Sequence, residues 1–177
     1  MILVAAACTV LLCLTTLIHY ETLRLLTLVL PRTRIPSRAK LMVVVFVAFV
    51  AHAAEIAAYG FVAYLLVHDF AAGSLGPLPG PSLKVALYFS AETYTSLGYG
   101  DVIPQGALRA LAGFEALNGL LLIGWTASFL FVEMQRFWID GRNTDAEAEP
   151  KADPAVDRAA VDRSVDRDNA VGAHRIR

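Results

Sequence analysis

Three long apolar runs set the limits on what this chain can become. Met1 to Ile18 carries no charge, and after His19-Tyr20-Glu21 and Arg24 a second apolar piece continues to Leu30. Leu41 to Val67 is interrupted only by His52, Glu55 and Gly60, and a third run extends from Ala107 to Phe131, with Arg136-Phe137-Trp138 as a basic and aromatic anchor beyond it. About 20 apolar residues cross the hydrocarbon layer as a helix, and in lipid the backbone must satisfy its own hydrogen bonds. The runs therefore predict three spanning helices. Charge agrees: 16 of the 31 formal charges lie between Asp140 and Arg177, and the first 139 residues hold the other 15. With 56% hydrophobic and 18% charged residues, the chain is too apolar for an ordinary soluble domain.

No basic leading region precedes the first run, so it reads as a retained helix and not as a signal peptide. Pro31 to Lys40 holds four basic residues, two prolines and no acidic one. The positive-inside rule puts this link in the cytoplasm and the N-terminus outside. His68-Asp69 to Gly80, with Gly76-Pro77-Leu78-Pro79-Gly80, is then an outer loop. Cys8 and Cys13 show no metal-ligand or redox spacing and read as free thiols.

Leu83 to Tyr94 is apolar for most of its length but too short to span. It reads as a half-helix that enters the membrane and turns back, with Pro81-Ser82 suited to its start. Gly98 and Gly100 follow, separated by one residue. They admit backbone conformations closed to other residues, so that successive carbonyls can point one way and replace the water shell of a cation.

The stretch Thr95-Ser96-Leu97-Gly98-Tyr99-Gly100-Asp101 resembles the potassium-channel pore loop, which usually reads Thr-Val-Gly-Tyr-Gly-Asp. The likeness extends to Ala86-Leu87, Ser90, Glu92-Thr93 and Pro104, as in small bacterial two-helix potassium channels. It covers about Ser82 to Phe131. The resemblance implies K+ coordination by Ser96, Leu97, Gly98, Tyr99 and Gly100, with support from Glu92, Thr93, Thr95 and Asp101. Glu92 would lie behind the filter and Asp101 at its mouth, close enough to share a proton. Two departures stand out. Ser96-Leu97 replace Thr-Val, and Phe89 replaces a frequent Trp, which removes an N–H that would hold Asp101. Ten residues separate Arg109 from Gly119, as between an outer Arg and the hinge glycine of the bacterial pores. Gly119 is thus the expected hinge, with Gly124 as second choice or with a packing role for either. From there Leu120, Ile123, Ala127 and Phe131 share one helical face. They would line a cavity, with Phe131 as a dry gate.

Antiparallel packing of the first two helices brings positions whose numbers sum to about 71 to one depth. His19 then faces His52 and Thr16 faces Glu55, while Arg24 lies nearer the cytoplasm, where it can reach water or pair with Glu21. Ionisable groups at this depth are costly when unpaired, so His19, Glu21, Arg24, His52 and Glu55 read as a polar seam that docks the first helix. Proton sensing by His19, His52 and Glu55 is a second reading, and a metal site is set aside.

The expected fold is an all-α membrane protein with three transmembrane helices, a re-entrant pore helix and a filter loop, assembled four-fold. Its divisions are 1–30, first helix; 31–40, cytoplasmic link; 41–67, outer pore helix; 68–81, extracellular loop; 82–104, pore helix and filter; 107–138, inner helix; and 139–177, charged cytoplasmic tail. The tail reads as disordered, although its Val-Asp-Arg triplets at 156, 161 and 165 could support a weak four-chain bundle. The expected function is passive K+ conduction by a homotetramer in a bacterial plasma membrane. The partners are lipid and K+, with no cofactor, catalysis, nucleic acid or small-molecule substrate, and K+ in the filter is the sole metal. The rival readings are a poorly selective cation channel and a membrane-anchored interaction protein with a vestigial filter.

Overall fold

The structure, a computed structural model, describes residues 1–76 and 82–148. Five helical and two short extended elements follow in order: α1 (Ile2–Val29), a 3-10 turn (Leu30–Arg32), α2 (Ser37–His68), β1 (Leu75–Gly76), α3 (Leu83–Tyr94), β2 (Ile103–Pro104) and α4 (Leu108–Ala148). Met1–Phe137 form one compact unit, and a second begins at Trp138. Three helices are long and apolar enough to cross a membrane, and between 22% and 28% of each apolar window is buried in the single chain. Most of that apolar surface is therefore left for lipid or for other copies.

Proline sets the first turn of the chain. Pro31 lacks an N–H and tightens the end of α1 into the 3-10 turn, where the Thr33 hydroxyl donates to Leu30 O at 2.7 Å. Pro36 stands extended at the N-cap of α2. The second helix thus begins at Ser37, not Leu41, and the link shrinks, because Arg38 and Lys40 already belong to the helix. Ser82 occupies the N-cap of α3, but its hydroxyl makes no capping bond. The inner helix also outruns its expected end at 138. No proline stands between Asp140 and Ala148, and Ala and Glu favour helix there. The tail expected from 139 is helical to 148, while the Val-Asp-Arg triplets lie outside the described residues.

One stripe of α1 faces inward: Val4, Cys8, Leu11, Thr15, His19, Leu23 and Leu26, at helical spacings of three and four. Its two ends are apolar. Val4, Cys8 and Leu11 join Tyr59, Leu66, Phe89 and Leu111, whereas Leu23, Leu26 and Leu30 join Val44, with Phe129 and Leu130 packed against them. Thr15 and His19 lie between these clusters.

Beyond α2, the loop is stitched to the segment after the pore loop. Leu75 and Gly76 pair antiparallel with Pro104 and Ile103, and the Gln105 N–H donates to Ser74 O at 2.9 Å. A Cβ on Gly73 would meet Gln105 O at 2.2 Å, so the two strands of this stitch approach at glycine distance.

Candidate functional site

The loop that follows α3 alternates in handedness. Ser96, Gly98 and Gly100 have φ of 58°, 54° and 80°, while Leu97 and Tyr99 between them stay at negative φ. Glycine tolerates this region freely, but a serine there is uncommon. Alternation of this kind turns successive N–H groups to one side. The Leu97 and Gly98 N–H groups donate to Glu92 O at 2.9 and 3.3 Å, and the Tyr99 N–H donates to Glu92 Oε2 at 3.2 Å. Among the described residues, no carbonyl from Ser96 to Gly100 accepts a hydrogen bond. Glu92 is thus the hub of the loop through both its backbone and its side chain. A cavity of about 330 Å³ flanks it, lined by Phe89, Glu92, Thr93, Ser96 and Gly98 among others. Thr95 closes the helix, its hydroxyl donating to Ala91 O at 2.7 Å.

Glu92 lies outside the three spanning helices. Burial raises its carboxyl above the usual carboxylate range, the Tyr99 N–H opposes that rise, and the neighbouring Asp101 adds to it. Asp101 has a partner that the sequence reading missed: the Tyr88 hydroxyl donates to its Oδ2 at 3.0 Å. That hydroxyl stands one residue before Phe89, whose ring offers Asp101 no donor. Tyr88→Phe is expected to free Asp101 and speed amide hydrogen exchange from Ser96 to Asp101 several-fold while the helices stay folded, as read by hydrogen-exchange mass spectrometry.

On α4, the buried face carries Leu111, Glu115, Asn118, Leu122 and Thr126, and the opposite face exposes Leu120, Ile123, Ala127 and Phe131. These four share one surface of the single chain. Gly119 lies between the two faces, and a Cβ there would meet Tyr94 O at 2.2 Å. It is a contact glycine against the end of α3, whereas nothing lies within 4 Å of a Cβ on Gly124. Glu115 Oε1 accepts from the Ser90 hydroxyl, which also lies 2.7 Å from Ile56 O.

Between the two apolar clusters sits a polar array drawn from all four helices. Glu55 receives His19 Nδ1 at 3.0 Å on Oε1 and His52 Nδ1 at 3.1 Å on Oε2, and Oε2 also accepts the Tyr94 hydroxyl. The other ring nitrogens converge on Thr126 Oγ1, His52 Nε2 at 2.9 Å and His19 Nε2 at 3.2 Å. The imidazole centroids are 5.1 Å apart, and Trp125 packs on His19. One turn away Asn118 Nδ2 donates to Thr15 Oγ1 at 2.7 Å and to Tyr59 Oη at 3.2 Å.

The structure corrects two sequence placements here. Glu55 faces His19 and His52, not Thr16, because the inward stripe of α1 passes through Thr15. Glu21 and Arg24 do not join the array: Arg24 takes the expected pairing with Glu21, at 2.9 Å on an exposed face. Tyr94 and Thr126 were missed. A hydroxyl-bearing aromatic beside the glycine loop and a lone Thr in an apolar run were their only signals.

Comparison with known proteins places this geometry. The family described as "Ion channel" matches residues 41–136, from the second turn of α2 through the spanning part of α4. The match covers more than half of the chain, and the chain belongs to this ion channel family. It is an integral membrane protein with an all-α channel fold. No curated protein and no solved structure matches the chain.

Proposed function

We propose that the chain forms a potassium-selective channel in which four copies surround one axis and the carbonyls of Ser96, Leu97, Gly98 and Tyr99, with the Ser96 hydroxyl, replace the hydration shell of K+. The observation that supports this reading is the alternation of handedness from Ser96 to Gly100, with N–H groups gathered on Glu92 and the carbonyls left without protein partners. Carbonyl rows that close around one axis away from water need a partner of opposite charge, and a bare monovalent cation is one. One row cannot enclose an ion, which favours a closed cyclic assembly. Leu97 and Tyr99 agree with this, being 62% and 68% exposed in the single chain.

In this reading the ion meets the filter from outside and leaves through a cavity lined by Leu120, Ile123 and Ala127, with Phe131 as a dewetting gate. The basic residues near Pro36 face the cytoplasm, which puts the N-terminus outside and the C-terminus inside, in a bacterial plasma membrane. Flux is passive and requires neither cofactor nor chemical step. Purified full-length chain in lipid vesicles is expected to pass K+ and retain Na+, and native mass spectrometry is expected to find four chains. Equal K+ and Na+ flux, or a stoichiometry without a central axis, overturns the proposal.

A further inference from the structure

The array around Glu55 contains a proton-counting problem. Both Nδ1 atoms face the Glu55 carboxylate, so with that group ionised each must carry a hydrogen. Both Nε2 atoms face one hydroxyl, Thr126 Oγ1. A hydroxyl has one hydrogen to give. It can satisfy one Nε2, and the other must itself be N–H or else present a lone pair to an oxygen lone pair. The hydrogen bonds therefore close when the two imidazoles and the carboxyl group share three exchangeable protons, which with Glu55 ionised make one imidazolium and one neutral imidazole. That state has no net charge. A fourth proton can be hydrogen-bonded but leaves a net positive charge in the apolar interior, and loss of the third leaves a net negative charge and an orphaned nitrogen.

Tyr94 connects this count to the pore loop. Its hydroxyl donates to Glu55 Oε2 and lies 2.9 Å from His52 Nδ1, its carbonyl abuts Gly119, and Thr95 and Ser96 follow it directly. We propose that His19, His52 and Glu55 hold one extra shared proton that fixes Tyr94, and that α1 thereby acts as a positioning element for the filter. The inference rests on the reading of residues 96–100 as that filter. The remaining titratable groups of the neighbouring elements are engaged elsewhere. Tyr59 bonds Asn118, Glu115 bonds Ser90, Tyr20 packs on Trp125, and Glu21 pairs with Arg24.

The sign of the pH effect follows. The closed array binds one proton more than separated groups with neutral imidazoles and an ionised carboxylate, so it weakens as pH rises. Glu55→Gln makes an unusual case. The amide oxygen can accept from Tyr94 and His52, and the amide N–H can donate to His19 Nδ1. His19 Nε2–H then donates to Thr126, whose hydrogen goes to His52. Every bond closes with two neutral imidazoles and no extra proton.

The test uses the full chain in lipid vesicles between about pH 6 and pH 9. Side-chain ¹⁵N NMR should find one imidazolium between His19 and His52 in the native chain and none in Glu55→Gln. K+ over Na+ selectivity should fall about tenfold in the native chain through the alkaline loss of that proton. It should stay level in Glu55→Gln and be low at every pH in Tyr94→Phe, with assembly checked by native mass spectrometry. Two neutral imidazoles beside an ionised Glu55 in the native chain, a level native pH profile, a native-like pH step in Glu55→Gln, native selectivity in Tyr94→Phe, or one equivalent of bound zinc per native chain overturns the inference. The NMR arm reads the proton whether or not the chain selects K+, so failure here is distinct from failure of the K+ reading.

Discussion

Tyr99→Asp is expected to bring the permeability ratio of K+ to Na+ close to unity while the assembly survives. Tyr99 has negative φ between two glycines in the reversed conformation, and its N–H is held by Glu92 Oε2. Aspartate can keep that backbone and that hydrogen bond. What it cannot supply is the ring, which is 68% exposed in the single chain. In a closed ring of four chains this ring has a neighbouring copy to pack against, which would fix the width of the carbonyl cage. The substitution also adds a negative charge to a loop in which Asp101 already raises the carboxyl of Glu92. Ion flux from vesicles measures the ratio directly. An unchanged ratio would remove residues 96–100 from the selectivity mechanism.

Gly119→Ala should be the most damaging conservative change in α4. Its Cβ would stand 2.2 Å from Tyr94 O and 3.0 Å from both Tyr94 C and Cγ. Two of these three atoms are backbone, so relief requires α3 and α4 to separate just before the Ser96–Gly100 loop. Overpacking of this kind costs about 3 kcal/mol or more per chain, roughly 6–12 °C in Tm for a chain of this size. Gly124→Ala is the control. Nothing lies within 4 Å of its Cβ, and alanine is favoured over glycine in a helix by about 1 kcal/mol, so Tm should hold or rise. A hinge role predicts the reverse emphasis, with altered gating and an unchanged Tm for Gly119→Ala.

The contrast between these glycines marks where sequence reading stopped. Gly98 and Gly100 announce their role locally, because a Gly-x-Gly pair after a half-length apolar helix has few other uses. Ser96 in the same reversed conformation carries no such sign, since serine populates many conformations and is reversed here by its neighbours. Likewise the depth match of His19 and His52 follows from helix rise and a short link. The rotation of each helix about its own axis does not. One step along α1 replaces Thr16 by Thr15 on the inward stripe, and that step decides which residue meets Asn118 and which faces lipid or another copy.

By itself the sequence determined the three spanning helices, the re-entrant half-helix and the glycine turn. Each follows from run length, charge placement and backbone freedom within a few consecutive residues. Only the tertiary structure decided that Tyr88 holds Asp101, that Gly119 seats the end of α3, and that Glu55 draws in His19, His52 and Tyr94 while Thr126 takes the far ring nitrogens. Apart from His52 and Glu55, three positions apart on one helix, those contacts join residues separated by 13 to 107 positions. They depend on hydrogen-bond direction and side-chain clearance between helices, which exist only once the helices have packed.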